Sequence, residues 1–290
     1  MTRFDPTGPL RGLLHPPADK SVSHRAALIA AMGCGQTEIE GYLDAADTRS
    51  TLMAVEKLGA EARRDPISRV NVGGSHRFPG RVPAGAPDPV IRIRGVGLRG
   101  PRSAVIDVGN AGTLMRLLPG WLAGQEGGAW TLDGDDSIRR RPVDRVAVPL
   151  REMGADLSAR EDRLPPLEVR GASLQGTTYE LPVASAQVKS CVLIAGMLAD
   201  GSTTIVEGRT SRDHTERILA RSRVPFERDG LNITVSQVDE LELDAIAVPG
   251  DPSSAAFMVA AACLVPDSRV VIQNVGLNWT RCGFFRIAQP

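Results

Sequence analysis

A polar or glycine-rich start running straight into an apolar helical stretch recurs four times along the chain, at intervals of roughly 65 to 90 residues. Lys20-Ser21-Val22-Ser23-His24-Arg25 leads into Ala26–Met32, and Gly109-Asn110-Ala111-Gly112-Thr113 into Leu114–Leu122. Ser185-Ala186-Gln187-Val188-Lys189-Ser190 leads into Cys191–Leu198, and Gly250-Asp251-Pro252-Ser253-Ser254 into Ala255–Leu264. Behind each helix the β-branched runs Thr37–Ile39, Trp130–Leu132, Thr203–Val206 and Val270–Ile272 predict short strands. In the first three copies a charged turn then enters a second helix. The spacing of Leu52, Val55 and Leu58, and of Val143, Val146, Leu150 and Met153, makes these helices amphipathic and suited to packing on a sheet. Gly59 and Gly154 read as helix stops followed by a new strand, and the third copy lacks that glycine. Each unit is therefore expected to place strands on one side and two helices on the other. Residues 73–89, rich in Gly and Pro, predict a looser, mobile connection inside the first interval.

The helix starts carry the candidate chemistry. A helix N-terminus leaves backbone N–H groups unpaired and partly positive, so it attracts phosphate or carboxylate, and four such ends facing one point could hold a multiply anionic ligand. Lys20 stands at the mouth of the first helix and Arg25 just over one turn further on. Gly109, Ala111 and Gly112 allow close backbone approach to a ligand. Arg139, Arg140 and Arg141 precede Pro142, which suits a first helical turn. Gly95-Val96-Gly97-Leu98-Arg99-Gly100 matches a dinucleotide fingerprint and follows the strand-like Val90–Ile93. Pro101 and the strand-like Ala104–Val108 come next, so a turn is expected there. Ser211, Asp213 and His214 lie too close in sequence for a catalytic triad and are expected to cap a helix.

Composition narrows the partner. Lys plus Arg number 34 and Asp plus Glu number 34, so no global field draws nucleic acid or an anionic membrane, and a small-molecule partner held by local charge is expected. A length of 290 residues with 42% hydrophobic and 23% charged content fits two domains or one large one. The longest apolar stretch, Ala255 to Val265, is too short to span a bilayer, and the first twenty residues carry four prolines and no signal-peptide core, so a cytoplasmic location is expected. Cys34, Cys191, Cys263 and Cys282 stand apart in sequence and read as reduced thiols, mostly in the core. His15, His24, His76 and His214 are equally scattered, and no metal site is expected.

Five ordered stretches resemble those of the 5-enolpyruvylshikimate 3-phosphate (EPSP) synthases: Asp19 to Arg25, Gly109 to Thr113, Gly134 to Pro142, Ala184 to Ser190, and Ser211 to Arg217, within a match from Leu10 to Gln289. The resemblance implies an α/β fold of repeated βαβαββ units around a pseudo-threefold axis. It places the N-terminal segment of a split domain at residues 1–19, a complete middle domain of three units at 20–248, and the incomplete remainder of the split domain at 249–290. It implies transfer of the enolpyruvyl group of phosphoenolpyruvate to the 5-hydroxyl of shikimate 3-phosphate, with release of phosphate, by a monomer without metal or organic cofactor.

Carried over by position, Lys20 touches both substrates and serves proton transfer. Ser21, Arg25, Ser185, Ala186, Gln187 and Arg212 lie on shikimate 3-phosphate, and Gly112, Arg141 and Gln187 on phosphoenolpyruvate. Ala186 stands where many members have a second serine, and Gly112 is the residue of glyphosate-sensitive members. The family's chains are longer. Their proton-accepting aspartate, a glutamate and several phosphoenolpyruvate-clamping cations have no counterpart here, so impaired catalysis, exposed apolar faces at Ala255–Val265 and Phe284–Ile287, and low stability over residues 249–290 are expected. Two further readings stand beside this one. A non-catalytic module could retain a shikimate 3-phosphate half-site. The related transferase acting on UDP-N-acetylglucosamine would need a Lys-Asn start and a loop cysteine, whereas Lys20 is followed by Ser21 and no cysteine lies between Cys34 and Cys191.

Overall fold

The computed structural model describes residues 8–65 and 90–289, so the connection expected over 73–89 lies outside the described residues. Strand β1 (Arg11–Leu14) leads to α1 (Lys20–Met32), whose N-cap Asp19 accepts the Val22 N–H at 3.0 Å. Then come β2 (Gln36–Glu40), α2 (Ala46–Lys57), β3 (Glu61–Asp65) and β4 (Val90–Arg94). The second unit is β5 (Ala104–Asp107), α3 (Gly112–Leu122), β6 (Ala129–Asp133), α4 (Asp144–Glu152), β7 (Asp156–Arg160) and β8 (Leu164–Arg170). The third is β9 (Thr178–Glu180), α5 (Ala186–Gly196), β10 (Ser202–Val206), α6 (His214–Arg221), β11 (Phe226–Asp229) and β12 (Asn232–Ser236). Strand β13 (Ala245–Ala247), α7 (Pro252–Leu264), β14 (Arg269–Ile272) and α8 (Gly283–Ile287) follow.

Three four-stranded sheets share one topology, β13-β2-β4-β3, β5-β6-β8-β7 and β9-β10-β12-β11. In each, the lead strand runs parallel to the strand behind the first helix, pairing Ile246 with Ile39, Ile106 with Leu132 and Tyr179 with Ile205, and the other pairs are antiparallel. The first unit takes its lead strand from β13, so residues 245–247 close a ring of three equivalent α/β units. A separate two-stranded sheet joins β1 to β14 in parallel.

Alternation decides which sheet face is covered. Thr37 and Ile39, Trp130 and Leu132, and Thr203 and Ile205 are buried at every second position, as half-covered strands require. Helices α1, α3 and α5, apolar on nearly all sides, are buried along almost their whole length, whereas α2, α4 and α6 bury one stripe each. Helix α7 is as apolar as the buried ones, yet only Pro252 and Ala255 on it are buried. Phe257 is 80% and Leu264 81% exposed, and Phe284 and Ile287 of α8 are exposed too, as the sequence leads one to expect.

Gly59 and Gly154 end α2 and α4 with φ of 108° and 96°, and in the third copy Arg223 takes the left-handed turn itself, at φ 61°.

Three expectations are corrected. Pro142 is not in a first helical turn: Val143 N–H donates to Arg163 O at 2.8 Å, holding this junction outside α4, which begins at Asp144. Only Cys191 is a core thiol. Cys34 and Cys263 are exposed and Cys282 half-buried, because Cys34 sits in the turn after α1, Cys263 on the uncovered α7 and Cys282 just before the exposed α8. Asp213 occupies the N-cap position of α6 without capping it. Its carboxylate instead accepts Arg217 Nε at 3.0 Å and Asn278 Nδ2 at 2.6 Å, while Ser211 bonds Glu207.

Candidate functional site

Helices α1 and α5 start side by side, and Arg25 ties them together. Arg25 is 2% exposed, and its guanidinium meets five acceptors with its five N–H groups. Nε donates to Thr215 Oγ1 (2.7 Å), Nη1 to Ser21 O (3.1 Å) and Oγ (2.7 Å), and Nη2 to Ala186 O (3.3 Å) and Ser190 Oγ (2.9 Å). Burial, then the charge of Arg212, pulls its pKa down to about 10, so it stays cationic at neutral pH. Ser21, Ala186 and the start of α6 are thereby locked around one buried cation. Ser185 caps α5, its Oγ accepting Val188 N–H at 3.4 Å.

Beside this knot opens a cleft of about 560 Å³, lined by Ser185, Ala186 and Gln187 from the start of α5 and by Arg209 and Arg212 from the loop before α6. Ser253, Thr280 and Arg281 form its far wall. Three arginines and no carboxylate line it, so the cleft is anion-receptive. Arg212 has no side-chain partner among the described residues, and burial followed by the charge of Arg281 lowers its pKa. An anion between the two guanidiniums would relieve that repulsion.

A second cluster surrounds the first turn of α3. Arg141 Nη2 donates to Asn110 Oδ1 at 2.9 Å and Ser137 Oγ at 3.0 Å. A Cβ at Gly112 would stand 3.0 Å from Arg141 Nη1 and 3.2 Å from Arg116 Nη1, so glycine lets two cations approach this helix start. Gln187 joins the clusters: its Oε1 accepts Arg116 Nη1 at 3.3 Å and its Nε2 donates to Thr113 Oγ1 at 3.1 Å. Lys20 stands apart from the cleft lining, its Nζ 2.9 Å from Asp47 Oδ2 at the start of α2.

The structure thus brings Ser21, Arg25, Ser185, Ala186, Gln187 and Arg212 into one neighbourhood, and Gly112, Arg141 and Gln187 into an adjoining one. Sequence reasoning missed Arg116, although its place one turn beyond Gly112 on the same helix face is a readable signal. It also missed Arg281, for which no local signal exists. Among the described residues no group of three His, Cys, Asp or Glu side chains could hold a metal ion, and no helix is long and apolar enough to cross a membrane.

Fold and site together define an α/β repeat protein with an anion-receptive cleft between helix starts. The family model of EPSP synthase (3-phosphoshikimate 1-carboxyvinyltransferase) matches residues 4–83 and 86–289. A 3-phosphoshikimate 1-carboxyvinyltransferase of Anaeromyxobacter sp. (strain Fw109-5) is 48% identical over 281 residues, covering 97% of this chain and 60% of the relative. One from Thermus thermophilus is 44% identical over 286 residues, covering 98% and 62%. The solved structure of EPSP synthase from Acinetobacter baumannii superposes with a TM-score of 0.83 at 36% identity, covering 97% of this chain and 60% of that one. The chain belongs to the EPSP synthase family. It spans about 60% of the length of the relatives it matches.

Proposed function

We propose that this chain carries the shikimate 3-phosphate-binding part of an enolpyruvyl transferase that joins phosphoenolpyruvate to the 5-hydroxyl of shikimate 3-phosphate in the cytoplasm. The observation that carries the reading is the cleft where Arg212, Ser185 and Gln187 meet at the α5 N-terminus with no carboxylate among them. In this proposal residues 20–248 form the complete three-unit domain, with 1–19 and 249–290 belonging to its split neighbour, and the protein acts as a monomer.

Arg212, Ser185 and the unpaired N–H groups at the start of α5, including that of Ala186, hold the substrate phosphate. Gln187, its amide oriented by Arg116 and Thr113, reaches both substrates. Ser21 bonds the ring. Arg25 orients Ser21 and the α5 start, and its Nη1, bonded to Ser21 O and Oγ, is the group that can exchange Ser21 for a ligand oxygen. Gly112, Arg141 and Arg116 take the carboxylate and phosphate of phosphoenolpyruvate. Lys20, on leaving Asp47, bridges the two substrates as the 5-hydroxyl adds to C2, giving up its proton while C3 gains one; loss of a C3 proton then re-forms the double bond and expels phosphate from the tetrahedral intermediate.

Calorimetric titration of the 290-residue protein with shikimate 3-phosphate tests the reading. Saturable binding is expected, and no heat at millimolar ligand would sink it. Arg212→Ala should weaken that binding roughly 10–100-fold, the worth of one hydrogen-bonded charge pair with phosphate. Gly112→Ala should leave shikimate 3-phosphate binding intact. Because its new methyl displaces only the flexible ends of Arg141 and Arg116, it should weaken phosphoenolpyruvate by roughly fivefold in titrations that contain shikimate 3-phosphate. Equal loss for both ligands would contradict the assignment of Gly112.

A further inference from the structure

Two backbone segments cross side by side where the three-unit ring meets the β1–β14 sheet. Ala18 and Gly250 form an antiparallel bridge, Asp19 N–H donates to Pro249 O at 2.8 Å, and Asp251 N–H donates to Pro17 O at 2.7 Å. Each segment ends in an aspartate that caps the next helix: Asp19 accepts Val22 N–H at 3.0 Å for α1, and Asp251 accepts Ser253 N–H at 2.8 Å for α7. This pairing brings two carboxylates together with little water, their side chains 2% and 18% exposed. Like charges so placed repel unless a cation joins them.

Arg281 is that cation. Its side chain, 12% exposed, sends Nη1 to Asp19 Oδ2 at 3.3 Å and Nη2 to Asp251 Oδ1 at 3.0 Å and Ser253 Oγ at 2.6 Å. Three residues before it, Asn278 Nδ2 holds Asp213, next to Arg212, at 2.6 Å. Arg281 also lines the anion-receptive cleft opposite the start of α5. We infer that Arg281 is a positioning residue: it clasps the capping carboxylates of α1 and α7, fixing the separation of the two helix starts, and so sets the width of the cleft that Ser185, Gln187 and Arg212 line. A planar fork with two separately aimed nitrogens is required for this, which an ammonium cannot supply. The cleft-width step rests on the proposed ligand reading, whereas the clasp itself does not.

The experiment has a ligand-free arm and a ligand arm, both on the 290-residue protein. Amide hydrogen exchange at Val22 and Ser253 reports the two caps. Arg281→Met should speed exchange at both positions together, and Arg281→Lys should do so at one or both, with melting temperatures tracking the wild type in the remainder of the ring. In calorimetry with shikimate 3-phosphate, Arg281→Met should weaken binding about tenfold. Adding Asp251→Asn should restore most of that loss, because the repulsion that opened the clasp is gone. Unchanged exchange at both caps in Arg281→Met overturns the clasp. Faster exchange with affinity unaltered, or affinity lost and not restored by Asp251→Asn, overturns the positioning role, the latter by making Arg281 a direct ligand contact. If Arg281→Met does not fold, Arg281→Lys decides: wild-type exchange at both caps in that variant overturns the proposal. Failure of the wild-type protein to bind shikimate 3-phosphate leaves the exchange arm standing and falls on the functional reading alone.

Discussion

Glu207→Ala is expected to destabilise the protein by about 3–5 kcal/mol, the cost of stranding a buried charge. Glu207 lies just beyond β10 with its side chain wholly buried, and Lys189 of α5 reaches it at 3.1 Å from an equally buried position. Lys189 also stands 2.7 Å from Glu216 Oε1 of α6, whose side chain is 4% exposed, and Arg228 lies 4.0 Å from both carboxylates. Two cations and two carboxylates thus balance inside the third unit. Removal of Glu207 leaves an ammonium with one off-axis partner. It also orphans the Ser211 N–H, which donates to Glu207 Oε1 at 3.1 Å, and so releases the loop that carries Arg212. Urea unfolding measures the stability loss, and shikimate 3-phosphate titration measures the second effect. Adding Lys189→Met to Glu207→Ala should recover at least about 2 kcal/mol, since the stranded charge is then gone. A single-variant loss below about 1 kcal/mol would place this network among those whose charges are solvated and cheap to lose.

The same network shows which parts of this protein could be read from its sequence. The helix starts at Lys20, Gly112, Ala186 and Pro252 were legible because a capping or small residue precedes an apolar run, which is a local signal. The lead strand of the first sheet was not. Ala245–Ala247 is three residues of weak strand preference whose partner begins at Glu38, and only the closing of the ring makes it a strand. The left-handed turn after α6 was hidden because Arg223 takes a conformation that glycine announces elsewhere. At the site, family resemblance supplied Ser185, Gln187 and Arg212, and the structure adds what holds them: Arg116 on Gln187, Glu207 on the Arg212 loop, and Arg281 on the caps. Those supporting partners come from distant segments, so no spacing rule reaches them. Arg25 is the instructive case. The resemblance places it on shikimate 3-phosphate, while the packing commits all five of its donors to Ser21, Ala186, Ser190 and Thr215. One buried arginine therefore stabilises three helix starts at once and presents the cleft through them.

Acidification to pH 4.5 should remove about 5 kcal/mol of folding stability through two histidines. Burial, with a further push from Arg25 and Lys20, lowers the pKa of His24 from 6.5 to about 4, and its Nδ1 lies 2.6 Å from Thr51 Oγ1. Burial, then the charges of Arg25 and Arg281, lowers His214 from 6.5 to about 3. At pH 7 both are neutral in the folded and the unfolded chain and cost nothing. Below 6.5 the unfolded chain takes up two protons that the folded one refuses, so each histidine removes about 1.4 kcal/mol per pH unit. The loss continues until His24 itself protonates near pH 4. Depressed carboxylates add little in this window: Asp44, Asp133, Asp135 and Asp213 start from ordinary values near 3.8 and act mainly below it. Unfolding free energies from urea titrations at pH 7.5, 5.5 and 4.5 should fall with a slope that approaches two protons per molecule between the last two. His24→Gln, whose amide can still meet Thr51 and never charges, should halve that slope. A stability that stays flat from pH 7.5 to 4.5 would mean that both rings gain protons without leaving the fold. The packing of α1 against α2 and of α6 against Asn278 would then have to open to water far more readily than their burial allows.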